Sequence, residues 1–249
     1  MEDIRITVAG PAGAGVAMNA HPGDPGEAWT ATTILTGAPD RIRRQSPLLL
    51  LGEGTSAFAH SLLSHVLLRG ERAIVLDGAN GFDAYRLARV AQERQQTIPT
   101  LLTAVRVSRA FTWQQWLSLL MRDAEAEARK SGSTWIFALG ILDLFADQDV
   151  KPFQAVRGAG QAAAALNTLA QAGLGVVAAQ DRRILARSGR ADLLEPLLKR
   201  AGRLLEISPA GAATGSAETP EFDRPPDPDS QMMFGFAELR SSPGLPLWS

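Results

Sequence analysis

A short glycine-containing turn follows the apolar run Leu48–Leu51 and precedes a stretch with helical periodicity. A phosphate-binding loop occupies this kind of position, and it needs a Gly, a Lys and a Ser or Thr where the helix begins. The Lys neutralises phosphate charge and the hydroxyl holds Mg²⁺. In this chain the corresponding stretch consists of Gly52, Glu53, Gly54, Thr55, Ser56, Ala57, Phe58 and Ala59. We interpret it as a degenerate nucleotide-binding loop.

The last three of these residues decide what the loop can do. Ala57, Phe58 and Ala59 stand at the places of the Gly, the Lys and the hydroxyl residue. The ring of Phe58 would put an apolar group where the charge of the terminal phosphate must be met. We therefore predict that Phe58 packs inward and that the chain does not hydrolyse ATP. We expect no cofactor, with weak ATP binding through the loop backbone as the alternative.

A second cluster is basic and lies late in the chain, after Gln180. It comprises Arg182, Arg183, Arg187 and Arg190. Residues 41–207 carry a net charge of +7, whereas residues 1–40 and 208–249 each carry −4. Arginine side chains suit phosphate contacts. These four residues are therefore candidate DNA contacts, and a solvated charged surface is the alternative.

Other types of site find little support. The chain has no Cys, which excludes disulfides, thiolate metal sites and cysteine nucleophiles. Asp143, Asp147 and Asp149 lack the Gly turn and the terminal Glu of a calcium loop. His60 and His65 lie five residues apart on a predicted helix, so they do not share one face. We predict no metal site.

Apolar runs alternate with helical patterns through the middle of the chain. The pattern predicts strands over residues 48–51, 72–77, 101–107, 134–142, 173–179 and 203–208, and helices over 56–69, 83–96, 112–131, 158–171 and 192–201. Strands that are apolar on both faces are typical of a parallel sheet covered by helices. We predict an α/β fold with a mostly parallel sheet and helices on both faces.

The two ends differ in composition from this core, which we place at residues 45–207. Residues 1–44 form a Pro/Gly-rich acidic segment, and residues 208–249 form a Pro/Ser/Ala/acidic linker, predicted to be disordered. The linker ends in an apolar cluster of Gln231, Met232, Met233, Phe234 and Phe236. This cluster is a candidate partner-binding peptide. Its outline resembles the peptides by which bacterial repair proteins dock on the sliding clamp.

Taken in order, five segments resemble the ATPase core of the RecA/RadA-like recombinase superfamily. Residues 52–60 resemble its phosphate loop, and residues 75–87 the strand and loop that carry the catalytic glutamate. Residues 109–115 are similar to an Arg-Ala-Phe segment that leads into the next helix. Residues 136–145 resemble the Walker B strand, and residues 175–180 the strand that ends in a phosphate-sensing Gln. The resemblance implies a RecA-like fold over residues 45–207.

The departures from the family are systematic. Ala79 stands where the family keeps its catalytic Glu, and Leu139 stands at the Walker B Asp, with Asp143 the nearest carboxylate. Gln180 matches the phosphate-sensing position. The resemblance therefore implies a non-hydrolysing paralogue that binds protein partners of the DNA repair or recombination machinery, and DNA through the loop after Gln180. The alternatives are a nucleotide-binding enzyme or sensor with an unusual loop, and a purely structural assembly subunit.

The sequence also bears on location. No apolar run reaches 18 residues, so no membrane span is predicted. The acidic start of the chain lacks the basic and apolar regions of a signal peptide, so we expect a cytoplasmic protein. The identity of the partner, the pathway and the oligomeric state do not follow from the sequence.

Overall fold

The computed structural model describes residues 4–9, 15–16, 46–95 and 97–209, the first two ranges as backbone only. Its eight strands are β1 (Ile4–Ala9), β2 (Gly15–Val16), β3 (Leu48–Gly52), β4 (Ala73–Asp77), β5 (Val105–Arg109), β6 (Trp135–Leu139), β7 (Gly175–Gln180) and β8 (Arg203–Pro209). They form one sheet in the order β2-β1-β8-β3-β7-β6-β4-β5. Strands β3 to β8 run parallel to one another, and β1 runs antiparallel to both β8 and β2.

The helices fill the connections between the parallel strands. They are α1 (Thr55–Leu68), α2 (Ala84–Glu93), α3 (Ile98–Thr103), α4 (Trp113–Ser118), α5 (Ala124–Ser131), α6 (Pro152–Gln171), α7 (Arg182–Arg187) and α8 (Glu195–Arg200). A π-helical turn, Leu119–Asp123, joins α4 to α5. Short 3-10 turns cover Asp143–Phe145 and Ala191–Leu194.

The central strands form because their apolar residues are buried on both faces of the sheet. Strands β4, β6 and β7 consist entirely of buried residues. Helices α1 to α3 pack on one face, where Phe58 and Leu63 meet Phe137. Helices α4 to α8 pack on the other, where Trp116 and Leu166 belong to the larger cluster. The prediction of an α/β fold with a parallel sheet and helices on both faces is confirmed for this part of the chain.

One predicted strand is wrong in its extent. The run 101–107 was expected to be a single strand, but α3 takes its first three residues and β5 runs from Val105 to Arg109. Pro99 lies in the first turn of α3, a position that suits proline, and Thr97 precedes the helix. Leu101 then points into the core as a helical residue. A local helix start therefore overrides the apolar run.

The first strand extends the sheet beyond the predicted core. Every residue of β1 is paired with β8, from Ile4 opposite Pro209 to Ala9 opposite Leu204. The remainder of the predicted 1–44 segment, apart from β2, lies outside the described residues. The linker beyond Pro209 and its candidate peptide also lie outside them.

Membrane crossing has no support in the helices that are described. None of those within residues 46–209 is both long and apolar enough to span a bilayer.

Two glycines of α6 offer a matched test of the packing. A Cβ added at Gly158 would lie 2.3 Å from Phe145 Cε1, whereas one at Gly160 would meet nothing within 4 Å. Because Phe145 is fully buried, we expect Gly158→Ala to lower the free energy of unfolding by about 1–3 kcal/mol. Gly160→Ala should raise it by about 0.5–1 kcal/mol through helix propensity. Urea unfolding of both variants measures the difference, and equal effects would contradict this packing.

Candidate functional site

The carboxyl ends of β3, β4, β6 and β7 lie side by side in the middle of the sheet. Ligands of open parallel α/β sheets bind beyond this edge, so it is the first place to look for a site. The predicted nucleotide-binding loop, Ala79, Asp143 and Gln180 all lie in or after these strands. The structure thus brings together the residues that the resemblance singled out, with the basic cluster next to them on α7.

The connection from β3 to α1 is too short to form a phosphate loop. β3 ends at Gly52 and α1 begins at Thr55, so only Glu53 and Gly54 lie between them. In a phosphate loop five residues separate the first Gly from the Lys. Here that span ends inside α1, whose first turn is already closed by the bond from the Phe58 N–H to the Gly54 carbonyl, at 3.1 Å.

Two glycines make this tight turn possible. Gly52 has φ of +122°, and a Cβ there would lie 2.2 Å from the carbonyl oxygen of Ile207. Gly54 has φ of +83° and precedes the helix. Neither conformation suits a residue with a side chain. Both glycines are therefore explained by the backbone geometry between β3, β8 and α1.

Phe58 lies in the core, as predicted. Its side chain is 2% exposed and belongs to the same cluster as Leu62 and Leu63. Thr55 is also buried, whereas Ser56 is exposed at the start of the helix. The place of the phosphate-binding Lys is thus part of the hydrophobic core.

Gln180 is fully buried at the end of β7, and its amide group is occupied by the protein itself. Its Oε1 accepts the Leu142 N–H at 2.8 Å. Its Nε2 donates to Asp143 Oδ1 at 2.7 Å and to the Asp181 carbonyl at 3.0 Å. Both amide hydrogens are therefore used. The side chain ties the turn after β6 to the end of β7.

Asp143 is the partner of Gln180 and titrates abnormally. Burial raises its pKa to about 6, although the hydrogen bond from Gln180 works in the opposite direction. The negative charges of Asp181 and Asp77 raise the pKa further. An acid that is costly to ionise thus lies at the carboxyl edge of the sheet.

Asp77 organises the loop after β4, and the sequence analysis missed it. Its carboxylate is fully buried. It accepts the N–H groups of Gly81 and Phe82 at 2.9 and 3.1 Å and an N–H from Arg109 Nε at 3.2 Å. Asp77 ends a buried strand, and Arg109 ends the next strand at the position opposite Asp77. This pattern of an acid and an Arg at two strand ends could have indicated the contact.

The neighbouring backbone fits tightly around the same loop. Ala79, which the sequence resemblance aligns with a catalytic Glu, follows Gly78 in this loop. A Cβ added at Gly140 would lie 2.3 Å from the Ala79 Cβ and 2.8 Å from Asp143 Oδ2. No carboxylate is placed at position 79, and the backbone of residue 140 closes the space beside it.

His60 anchors the far end of that loop from α1. Its Nδ1 donates to the Ser56 carbonyl at 2.7 Å, and its Nε2 accepts the Asp83 N–H at 2.9 Å. The ring stacks on Phe82 with centroids 5.6 Å apart. Because one nitrogen must donate and the other must accept, the ring is neutral with its proton on Nδ1. We interpret His60 as a structural residue.

The four candidate DNA-binding arginines do not lie in a loop, as was expected, but on α7 and just after it. Asp181 caps this helix by accepting the Arg183 N–H, which stabilises a helix where a loop was predicted. Partial burial alone would raise the pKa of Asp181, but the hydrogen bonds from Arg183 and its charge outweigh this and lower it.

Most of these arginines already have partners. Arg182 pairs with Glu206 at 2.5 Å, and Arg183 pairs with Glu53 at 2.5 Å and with Asp181 at 2.8 Å. Arg190 donates to the carbonyls of Phe145 and Val150. Of the four, Arg187 is exposed, and its charge contributes to the lowered pKa of Asp181. Two of the four positive charges, those of Arg182 and Arg183, are therefore balanced by acids of the chain.

The carboxyl edge of the sheet holds the acids Asp77, Asp143 and Asp181 and the amide of Gln180. Within residues 46–95 and 97–209, no three His, Asp or Glu side chains converge as metal ligands would. No protein-family model matches the chain, and no curated protein is similar to it.

The burial of Phe58 generates a direct test. Because the Phe58 ring is enclosed by the hydrophobic core between α1 and the sheet, Phe58→Ala should lower the free energy of unfolding by about 3–5 kcal/mol. Phe58→Lys should destabilise at least as much and should not create ATP binding, because the ammonium group would be buried. Chemical unfolding and ATP titration measure both. A stable Phe58→Lys variant that binds ATP tightly would refute this assignment.

The pKa of Asp143 generates a second test. A carboxyl whose pKa is raised in the folded state makes stability fall as pH rises from its ordinary pKa, 3.8, through about 6. We expect the free energy of unfolding to fall by up to about 3 kcal/mol across that window. Asp143→Asn should abolish this part of the pH dependence. The exposed Asp147→Asn is the control and should retain it; a flat wild-type profile would contradict the assignment.

Proposed function

We propose that the chain is a catalytically inactive RecA-like protein that acts as a binding or scaffold component in DNA repair or recombination. The parallel sheet with helices on both faces is consistent with a RecA-like arrangement. The observation that carries the inactive part of the proposal is the β3–α1 connection, in which two residues replace a phosphate loop and Phe58 is in the core.

A nucleotide sensor is less well supported than a binding component. Gln180 uses both of its amide hydrogens on Asp143 and Asp181. Glu53, Asp143 and Asp181 place carboxylates at or beside the same edge, where they would repel phosphate oxygens. Arg183 pairs with two of these acids, so its charge is already balanced.

DNA binding through Arg182, Arg183, Arg187 and Arg190 stays a prediction, and their ion pairs argue that it is weak. A phosphate would have to displace Glu206 from Arg182 or Glu53 from Arg183. Partner binding through Gln231–Phe236, including docking on a sliding clamp, is likewise part of the proposal and concerns residues outside those described.

The proposed function predicts no ATP hydrolysis by the purified chain above background. The Lys, the hydroxyl, the catalytic Glu and the Walker B Asp are all missing from their expected places, and such groups each contribute orders of magnitude to the rate. A coupled phosphate-release assay with MgATP measures this.

A matched variant separates genuine turnover from contamination. Ser56 is exposed in the first turn of α1, so Ser56→Glu should fold normally while placing a carboxylate where ATP would have to approach. Residual activity that is equal in wild type and Ser56→Glu would be a contaminant. Activity that is lost in Ser56→Glu would overturn the inactive assignment.

A further inference from the structure

An open groove lies at the outer edge of the sheet, away from the nucleotide position. It has a volume of about 760 Å³ and is lined by Phe82, Asp83, Ala84, Tyr85, Val107 and Arg109. These residues come from the loop after β4, the start of α2 and the edge strand β5. Within the described part of the chain, none of the contacts given above covers the open side of this groove.

Arg109 supplies a fixed hydrogen-bonding group in the groove. Its Nε donates to the buried Asp77 carboxylate at 3.2 Å, and its Nη2 donates to the Phe82 carbonyl at 3.4 Å. The side chain is nevertheless 43% exposed. Guanidinium has five N–H groups, and those that remain have no partner in the described part of the chain. Because the buried acid holds the guanidinium in place, little side-chain entropy would be lost on binding.

The walls of the groove are apolar and exposed. Tyr85 is 87% exposed at the start of α2, and Val107 is 39% exposed on β5. Tyr and Arg side chains are the ones that most often dominate binding energy at protein interfaces. Exposed together beside a concave surface, they are typical of a binding site rather than of an ordinary solvated face.

The acid that lines the groove does not oppose an anionic ligand. Of the nearby arginines, Arg109 pairs with Asp77 and Arg106 pairs with Glu127, so the unused N–H groups of Arg109, and not a surplus of charge, determine the kind of ligand. Asp83 accepts the Tyr85 N–H at 2.9 Å and pairs with Arg86 at 3.5 Å, so its negative charge is balanced by the first turn of α2. A carboxylate can approach Arg109 without meeting an unpaired acid from the groove.

We propose that this groove binds a protein segment in which a carboxylate stands next to an apolar side chain. The carboxylate takes the remaining N–H groups of Arg109, and the apolar side chain packs against Val107 and Tyr85. A peptide fits better than a polyanion, because Arg109 and Arg86 are each balanced by a protein acid while the groove walls remain apolar. The inference rests on the proposed function in one respect, that the chain works by binding.

The experiment is selection of a random-peptide display library on the full chain, with Tyr85→Ala as the counter-selected target. The expected peptides share an Asp or Glu within a residue or two of an apolar or aromatic residue. A synthetic peptide from this set should bind about 5- to 30-fold more weakly to Tyr85→Ala and to Val107→Glu. Replacing its carboxylate by the amide should weaken binding about tenfold or more.

Controls keep the result interpretable. Phe153→Ala removes an exposed aromatic side chain from α6 on the other face, and it should bind the peptide like wild type. Tyr85 is exposed enough for its truncation to leave the fold intact, which circular dichroism checks. The loop 52–59 is untouched in these variants, so the ATP assay on the proposed function stands whatever the peptide result.

Three outcomes would overturn the proposal. The first is that no peptides are enriched, or that the enriched ones carry no carboxylate. The second is equal binding to wild type, Tyr85→Ala and Val107→Glu. The third is that labelled single-stranded oligo(dT) displaces the peptide and binds in a Tyr85-dependent way, which would mean that the groove binds nucleic acid.

Discussion

The carboxylate of Asp77, buried at the end of a central strand, is the interaction on which the carboxyl edge of the sheet depends. A charge without water is costly unless it is hydrogen-bonded. Two backbone N–H groups and Arg109 meet that cost, and in doing so they fix the loop after β4, the start of α2 and the end of β5. His60 holds the other end of the same loop. One buried acid therefore orders both the interior of this edge and the outer surface beside it.

The other polar side chains of the carboxyl edge also form their bonds within the protein. Gln180 and Asp143 bond to each other and to the backbone, and Arg183 bonds to Glu53 and Asp181. In a nucleotide-binding protein such groups point outward and stay available to bind a ligand, and leaving them unbonded lowers the stability of the fold. Here they satisfy one another. The polar groups of this edge contribute to folding, whereas Arg109 keeps unused N–H groups that face the outer groove.

The sequence was a good guide to what depends on local pattern and a poor one to what depends on distant pairs. Apolar runs identified the central strands, and the helical spacing of Phe58 with Leu62 and Leu63 correctly placed Phe58 in the core. By contrast, Asp77 and Arg109 are 32 positions apart and meet only because β4 and β5 are in register. The arginines after Gln180 gave a basic pattern, but Glu53 reaches Arg183 from 130 positions away. Charge counted along a chain does not reveal which charges the fold neutralises.

The pairing of β1 with β8 has a consequence for how the chain is made. β1 precedes its partner β8 by about 200 residues, which at ordinary elongation rates is a delay of about 10–40 s. Throughout that time the hexapeptide IRITVA, which is rich in β-branched residues, lacks the strand with which all of its residues pair. β8 itself pairs with β3 on its other side, so the late strand must find two partners made long before it. The outer part of the sheet therefore assembles only after β8 has been made, when the central strands are already available as a template.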